Sequence, residues 1–137
     1  MADCIFCKIV TGDIPSTKVY EDDNFLAFLD IAPITPGHTL VIPKEHVTDT
    51  LDMDENTLKE LAVRVKKIAH AIVDGLDVKA LNIGVNNGAD AGQVVFHAHW
   101  HLIPRRPNDG LKLWPGGGYR DQEEVQSTAE AIRNQLQ

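Results

Sequence analysis

The sequence is poor in cysteine, in positive charge and in long apolar stretches. It has 2 cysteines, and 13 lysines and arginines stand against 20 aspartates and glutamates, giving a net charge of −7. This acidic balance argues against a nucleic-acid partner or a membrane-surface partner. No apolar run approaches the length of a membrane span, and the first residues lack the basic and apolar regions of a signal peptide. We therefore expect a cytoplasmic protein without a stable disulfide.

The composition that remains is that of an ordinary folded domain. The chain has 137 residues, of which 43% are hydrophobic and 24% charged, so it is long enough to bury a core. No internal repeat, low-complexity linker or shift in composition divides it. We expect one domain over residues 1–137.

The periodicity of apolar residues predicts five strands. They fall at residues 18–21, 25–29, 38–43, 81–86 and 94–103, and an acidic turn joins the first two into a hairpin. A long helix separates the first three strands from the last two. This order predicts an α+β fold with a mainly antiparallel sheet, and not an alternating βαβ sandwich.

Two helices are predicted, and a third segment is shorter. Apolar residues recur at steps of three and four over residues 58–73, so a long helix begins near Asp54 and ends at Gly75. A C-terminal helix opens with a capping-box-like pattern at residues 121–124. Its apolar stripe is Val125, Ala129, Ile132 and Leu136. The apolar segment 4–10 fits one or two helical turns.

Half of the six histidines lie within five residues, at His97, His99 and His101. In a strand these three rings share one face, at a spacing of about 6.5–7 Å, while Phe96, Ala98, Trp100 and Leu102 take the other. A solvated strand face or a pure metal site would give the same pattern. Three rings that titrate near neutral pH favour a third interpretation, chemistry on an anion.

Aligned imidazoles have the properties that phosphoryl transfer needs. A neutral imidazole attacks phosphorus and later leaves it, and a second imidazole can donate a proton or hold phosphate charge. The glycine-rich loop 88–93 comes just before the histidines, so its backbone N–H groups and the Gln93 amide are candidates for contacts to phosphate oxygens.

Residues 97–103, His-Ala-His-Trp-His-Leu-Ile, resemble the His-φ-His-φ-His-φ-φ signature (φ, apolar) of the histidine triad superfamily. Segments 5–9, 28–31, 36–44 and 92–97 also resemble the family, most closely its Hint branch, so the similarity covers nearly the whole chain. The resemblance implies the family's α+β fold, with a mainly antiparallel five-stranded sheet, one long helix and a C-terminal helix. It also implies a homodimer that extends the sheet, with the segment around Trp114 near the partner's pocket.

The same resemblance assigns four catalytic positions and a pocket for a purine nucleotide or nucleotide conjugate. His99 matches the nucleophile, His101 a phosphate and leaving-group partner, His97 an orienting residue, and His38 a fourth histidine behind the triad. The positions that match substrate contacts are Asp30 for the ribose, Ile5, Phe6, Ile9, Phe28, Leu29 and Ile31 for the base, and Asn86, Gly92, Gln93 and Val94 for the phosphate.

Several of these residues also have simpler interpretations. Asp30 can cap the turn before Pro33, Asn86 can be a turn residue, and His38 can be a hydrogen-bonded interior histidine. His70, on the long helix, is given no role. The chain also departs from the Hint pattern, which commonly has a hydroxyl residue at the position of Val94, so handling of the leaving group is in question more than binding.

Cys4 and Cys7 form a C-x-x-C motif that allows three interpretations. A redox motif normally follows a strand in a βαβ unit, two buried thiols can simply pack as small apolar groups, and a zinc site needs two further ligands. Some bacterial members of the resembled family bind zinc through a set that matches Cys4, Cys7, His46 and His97. A zinc-bound His97 would be held neutral and would not act as a general acid. No organic cofactor is expected.

The function that the resemblance implies is hydrolysis of purine nucleoside 5′-phosphoramidates or related nucleotides. A nucleotidyl-His99 intermediate would form and water would release the nucleoside monophosphate. One alternative is a dinucleoside polyphosphate hydrolase or nucleotidyltransferase, which Arg105 and Arg106 leave open. The other is a zinc-stabilised nucleotide-binding adaptor with little catalysis.

Overall fold

A computed structural model describes residues 3–136, and within them one antiparallel sheet of five strands has a helix packed on each face. The elements in chain order are α1 (Ile5–Thr11), β1 (Lys18–Glu21), β2 (Phe25–Leu29), β3 (Thr39–Pro43), α2 (Glu55–Gly75), β4 (Ala80–Val85), β5 (Trp100–Arg105) and α3 (Gln122–Leu136). The sheet order is β1-β2-β3-β5-β4. The predicted α+β fold is confirmed.

The long helix α2 covers one face of the sheet. Asp54 caps its first turn, because the side-chain Oδ1 accepts a hydrogen bond of 2.7 Å from the Thr57 N–H. The apolar stripe that the sequence predicted faces the sheet, and Leu61 and Val65 are buried in one cluster with Val41 of β3 and Leu102 of β5. Burial of this stripe holds α2 on the sheet.

The short helix α1 covers the opposite face. Cys4 caps it, since the Sγ accepts from the Cys7 N–H at 3.3 Å, and Gly12 ends it in the left-handed conformation with φ of 85°. Phe6 and Ile9 on the inner side of α1 pack on alternate residues of β2 and β3. The first helical turns of the chain therefore lie on the face away from α2.

The strand that carries the histidines is shorter than predicted. It begins at Trp100 and not at Val94, so His97 and His99 precede it and His101 lies within it. Residues 93–99 bind the loop after β3 in place of a neighbouring strand, through contacts such as the 2.7 Å hydrogen bond from the Ala98 N–H to the Val47 carbonyl. Ala98, Trp100 and Leu102 still share the α2 face, but Phe96 is exposed outside that core.

The C-terminal helix α3 has no buried residue. Its predicted apolar stripe is present, but Ile132 and Leu136 are exposed, as is Trp114 in the preceding segment. Among the helices of the described residues, none has both the length and the apolar character that crossing a membrane requires.

Candidate active site

The buried His97 uses both ring nitrogens and its carbonyl in separate contacts. Its Nε2–H donates to the Pro43 carbonyl oxygen at 2.8 Å, which leaves Nδ1 with a lone pair directed at Cys4 and Cys7. Its carbonyl oxygen accepts from His99. The side chain of the first triad histidine is therefore fully engaged inside the protein and has no ring nitrogen left for a substrate.

His99 is held in one tautomer by that carbonyl. Its Nδ1–H donates to the His97 oxygen at 2.7 Å, so the Nε2 of the neutral ring carries a free lone pair. Burial lowers the pKa of His99, which keeps the ring neutral at neutral pH. A fixed, neutral imidazole with one free nitrogen has the form that a nucleophile requires.

His101 is oriented by a chain of hydrogen bonds that starts at the backbone of Ile34. The Ile34 N–H donates to Nδ1 of His38 at 3.1 Å, so the proton of the neutral His38 is on Nε2. That Nε2–H donates to Nδ1 of His101 at 2.9 Å. The remaining proton of His101 is consequently on Nε2.

The environment keeps this chain neutral. Burial lowers the pKa of His38, and burial together with the neighbouring His99 and His38 lowers the pKa of His101 to about 4. The rings of His99 and His101 approach to 5.0 Å between centroids. The site thus presents a free lone pair on His99 beside a neutral N–H donor on His101.

Cys4, Cys7, His46 and His97 come together as one candidate metal centre, with all four ligand atoms within 4.8 Å of one another. Cys7 Sγ lies 3.4 Å from His46 Nδ1 and 3.6 Å from His97 Nδ1, and Cys4 Sγ lies 3.4 Å from His97 Nδ1. Tetrahedral zinc with ordinary bond lengths separates a sulfur from a nitrogen ligand by about 3.6 Å. The two thiols and two imidazoles therefore fit zinc.

Second-sphere contacts support the same fit. The hydrogen bond from His97 Nε2–H to the Pro43 carbonyl fixes the tautomer in which Nδ1 carries a lone pair for a metal. Most metal-bound histidines donate their other ring N–H to an acceptor in this way. Burial and the adjacent Cys4 thiol raise the pKa of Cys7, so a metal has to displace a proton there and binds more tightly as pH rises.

Apolar side chains stand beside His99. Phe6 meets the His99 ring edge to face at 5.0 Å and meets Phe28 at 5.4 Å. Ile9 and Phe28 are buried in the core under α1, whereas Ile5 is half exposed and Ile31 is 97% exposed, so these two have surface free for a ligand. Leu29 was predicted to join them, but alternation along β2 turns it to the α2 face, where it lines a cavity with Ile68 and Leu76.

Asp30 caps a turn through one carboxylate oxygen and leaves the other oxygen free. Its Oδ1 accepts from the Ala32 N–H at 2.9 Å and so caps the turn before Pro33. Its Oδ2 accepts no hydrogen bond from the described residues and lies 3.8 Å from Nδ1 of His38. One carboxylate oxygen therefore remains free to accept from a ligand.

The glycine-rich loop is held in its conformation by contacts with its own residues. Gly88 and Gly92 have φ of 94° and 95°, values that a side chain would strain. A Cβ added to Gly92 would lie 3.5 Å from Asn86, which places Asn86 against the loop. The buried Gln93 accepts from the Gly88 N–H and donates to the carbonyls of Thr48 and Val95. The expectation of a free Gln93 amide is therefore wrong, because the amide already braces the loop.

Two groups that orient histidines of the site were not predicted from the sequence, because they belong to the backbone. The Pro43 carbonyl fixes the tautomer of His97, and the Ile34 N–H fixes that of His38. A sequence pattern predicts roles for side chains, and neither a proline nor an isoleucine predicts a backbone hydrogen bond to a histidine. The position of Pro43 at the end of a strand near the histidines is the single clue that the sequence carries.

Comparisons with known proteins find relatives of this chain in sequence and in fold. A family model described as HIT domain matches residues 11–108. Protein hit of Bacillus subtilis is 54% identical over 98% of this chain and 94% of its own length. A crystal structure of SMU.412c from Streptococcus mutans shares 48% identity and a TM-score of 0.93, covering 100% of this chain and 87% of that one.

Two further matches concern activity and metal. A protein of Arabidopsis thaliana named adenylylsulfatase HINT3 is 44% identical over 80% of this chain and 55% of its own length. The crystal structure of a Zn-bound histidine triad family protein from Mycobacterium smegmatis shares 43% identity and a TM-score of 0.77, covering 98% of this chain and 96% of that one.

The fold and the site together define a class of small α+β proteins in which an interior strand of an antiparallel sheet begins among closely spaced histidines. Within that class, the extent of the family match and the identity to its relatives are decisive. The chain belongs to the HIT domain family.

Proposed function

We propose that this protein is a nucleotide hydrolase that acts on the α-phosphate of purine nucleoside 5′-phosphoramidates or related nucleotides. The observation that carries this proposal is the 2.7 Å hydrogen bond from His99 Nδ1 to the His97 carbonyl, which leaves a lone pair on a buried neutral ring. Membership of the HIT family and the adenylylsulfatase name of a relative support hydrolysis as the reaction.

The proposed reaction has two steps. Nε2 of His99 attacks the α-phosphorus and displaces the leaving group, which gives a nucleotidyl-histidine. Water then attacks the same phosphorus and releases the nucleoside monophosphate. Nδ1–H stays on the His97 carbonyl through both steps and stabilises the positive charge that the ring carries in the intermediate.

The neighbouring groups bind and orient the phosphate. The Nε2–H of His101, held by His38, would donate to a phosphate oxygen. Asn86, Gly92 and the N–H of Val94 would supply further donors from the loop. Gln93 contributes by holding that loop in place.

The nucleoside would lie between α1 and the loop after β2. Phe6 stands against His99, and the exposed surfaces of Ile5 and Ile31 would cover the base, with Ile9 and Phe28 packed behind. The free Oδ2 of Asp30 would accept from the ribose hydroxyls.

Cys4, Cys7, His46 and His97 would hold a structural zinc ion. By holding it, these residues would join α1 to the histidine segment and to the loop after β3, and the role of the zinc would be structural. His97 is then a brace and not an acid, because both of its nitrogens are engaged.

A second candidate function uses the same nucleophile on adenylyl sulfate. The relative named adenylylsulfatase HINT3 favours it. Dinucleoside polyphosphates have less support, since Arg105 is paired with Asp109 by two hydrogen bonds and Arg106 reaches the Pro36 carbonyl. A nucleotide-binding adaptor with little catalysis would not need the fixed tautomer of His99, so this alternative has less support.

We also propose that the protein forms a homodimer in the cytoplasm. The edge strand β4 has unpaired backbone groups on its outer side, and Ile83 is 49% exposed beside an apolar groove formed with α2. Exposed apolar residues of this kind and an uncovered strand edge are usual where subunits meet. Trp114 and the stripe of α3 are further surface for a partner.

The first test is hydrolysis of adenosine 5′-phosphoramidate by the wild type, His99→Ala and His70→Ala. Loss of the nucleophile should lower kcat/KM by about two orders of magnitude or more. His70 is an exposed histidine of α2 on the other face of the sheet, so its substitution is the matched control and should retain activity. Equal rates in all three proteins would refute the nucleophilic role of His99.

A further inference from the structure

An apolar cavity that the proposed reaction does not use lies between α2 and the sheet, on the face opposite the histidines. Its volume is about 470 Å³, which falls within the range of small-molecule pockets. Ile68 and Ile72 form its floor, while Val19 and Leu76 line it and remain 50% and 44% exposed. A ligand with an apolar body would gain free energy by removing this surface from water.

Small residues determine how wide the cavity is and where it ends. Ala71 and Gly75 both line it and are four residues apart, so they lie on the same side of α2. A Cβ added to Gly75 would meet no atom within 4 Å, so the space beside it is open. A Cβ added to Gly37 would overlap the Leu76 side chain, so the glycine lets the loop before β3 close the cavity against α2.

The charge of the cavity is opposite to that of the whole protein. Arg106 and Lys67 line it, and none of its lining residues is acidic. Within residues 3–136, neither of these two side chains forms an ion pair with a carboxylate. In a chain of net charge −7, two unpaired cations at one apolar cavity favour an anionic ligand.

Arg106 is the better placed of the two cations to bind an anionic group. It is half-buried, and its Nη1 donates to the Pro36 carbonyl at 3.5 Å, which engages one of its five N–H groups. The others are free, and a guanidinium can donate two parallel hydrogen bonds to a carboxylate. Lys67 is held over the ring of Tyr20, with Nζ 5.1 Å from the ring centroid, and adds positive charge from α2.

The two hydroxyl groups of the lining are already engaged. Tyr20 donates to the Asp22 carboxylate at 2.6 Å, and Thr39 donates to the Gly37 carbonyl at 2.8 Å. Beyond the two cations the cavity therefore has no side-chain donor to offer. A sugar or another ligand with many polar groups would lose its hydrogen bonds to water here without replacement.

We propose that this cavity is a second ligand site, and that it binds a monocarboxylate with an apolar body of medium length. The carboxylate would meet Arg106, and the apolar body would cover Val19 and Leu76. The site lies on the opposite face of the sheet from His99, so it does not depend on the reaction proposed there.

The test is isothermal titration calorimetry with three probes. Decanoate should bind the wild type with a Kd below about 1 mM, as expected for a ligand of its size. Octanoate, with two methylene groups fewer, should bind about tenfold more weakly. Decyltrimethylammonium has the same tail with the opposite charge and should bind at least about tenfold more weakly than decanoate. Failure of decanoate to bind, or equal binding of the cationic probe, would overturn the proposal.

Charge variants test the assigned head-group contact. Arg106→Gln should raise the Kd for decanoate about tenfold, and Lys67→Gln should raise it about threefold because this lysine is more exposed. Lys59→Gln is the matched control, since it removes the same charge from an exposed position of α2 outside the cavity. Equal Kd values for Arg106→Gln and Lys59→Gln would contradict the site.

A variant that fills the cavity locates the bound decanoate. Ala71→Leu should raise the Kd at least about tenfold by occupying the space, and Ala131→Leu, the same change at an exposed position of α3, should leave it unchanged. Saturating adenosine monophosphate should not affect decanoate binding. Competition by the nucleotide, or an unchanged Kd in Ala71→Leu, would place decanoate elsewhere and overturn the proposal.

Sedimentation velocity of Ala71→Leu separates a ligand site from a subunit contact. The variant should sediment like the wild type, because the proposed cavity takes a small molecule. A change in its oligomeric state would identify the cavity as a contact between two copies of the chain and would overturn the ligand site. None of these outcomes bears on the hydrolysis test with His99→Ala.

Discussion

His97 shows how one residue connects two parts of the site. Its ring faces the thiols of Cys4 and Cys7, and its carbonyl fixes the tautomer of His99. The sequence places His97 in the triad but does not reveal that its ring and its carbonyl act separately. Displacement of the His97 backbone would therefore alter the tautomer of His99, the proposed nucleophile, without any change in the side chain of His99 itself.

Asp30 allows the fold and the ligand contact to be tested separately. In Asp30→Asn the Oδ1 atom can still cap the Ala32 N–H, but the free oxygen becomes an NH₂ group that donates. We expect KM for an adenine nucleotide to rise about 10- to 100-fold, because hydrogen bonds to a charged acceptor contribute about 1.5–3 kcal/mol. Steady-state kinetics with the ribonucleotide measures this directly.

The 2′,3′-dideoxy analogue provides the control for that variant. The wild type should bind the analogue as weakly as Asp30→Asn binds the ribonucleotide, and the variant should no longer distinguish the two sugars. An unchanged KM, or a loss of thermal stability that accounts for the kinetic effect, would count against ribose recognition by this carboxylate.

Predictability from sequence differs between side chains and backbone groups. The pair of His99 and His101 was predicted from the spacing of the triad, and the place of His38 beside them was predicted from the resemblance to the family. The commitment of Gln93 to the loop and of the Ile34 N–H to His38 was not, since hydrogen-bond partners distant in sequence leave no local pattern. A polar side chain in a glycine-rich loop looks the same whether it contacts a ligand or supports the loop.

At the scale of elements, the sheet was largely predictable and the start of β5 was not. Strands β1 and β2 occupy the predicted residues, since a short acidic turn and apolar runs define them. The alternation from Val94 onward predicts a strand, but β5 begins at Trp100 because residues 93–99 bind the loop after β3. Periodicity describes which face a side chain takes and says little about which backbone it pairs with.

Helix α1 depends on the proposed zinc more than any other element does. It has seven residues, too few to be stable alone, and two of the four candidate ligands belong to α1 and its cap. Zinc at 100 times its Kd adds about 2.7 kcal/mol to folding. Removing it should lower Tm by about 5–10 °C for a chain of this size.

The metal prediction is measured by mass spectrometry of metal content and by calorimetry before and after chelation. His46→Ala is the accompanying variant, since His46 contacts the thiol of Cys7 and is assigned no contact to substrate. Hydrogen exchange in α1 should quicken in both the chelated protein and the variant. A metal-free wild type with the same Tm and the same exchange in α1 would show that packing alone holds the helix.

On the scale of the whole molecule, the two edges of the sheet differ. The β1 edge and the β4 edge each have one half-exposed apolar residue, Val19 at 50% and Ile83 at 49%. Each of them lies beside an apolar cavity formed with α2. The strands differ in charge, because β1 carries Lys18 and Glu21 whereas β4 carries no charged residue. Charged side chains protect an edge strand from pairing, so the β4 edge is the better surface for a partner strand.

Ile83→Lys should convert the proposed dimer into a monomer. A buried charge at the centre of a subunit interface costs several kcal/mol, which is enough to dissociate a dimer at micromolar concentration. Sedimentation velocity should give the wild type about twice the 15.1 kDa of one chain. The variant should sediment as a single chain.

Val19→Lys is the matched control on the opposite edge, with the same change at the same exposure. It should sediment like the wild type. A wild type of 15.1 kDa, or equal dissociation by both lysine variants, would contradict an interface at β4.

The position of Cys4, so near the start of the chain, has a practical consequence for protein preparation. Any residues fused ahead of Cys4 emerge directly beside the four candidate zinc ligands. An N-terminal polyhistidine tag would offer competing imidazoles there, and the nickel used in affinity purification could occupy the proposed zinc site. A tag after α3, which has no buried residue, keeps foreign ligands away from Cys4 along the chain and preserves the metal content for measurement.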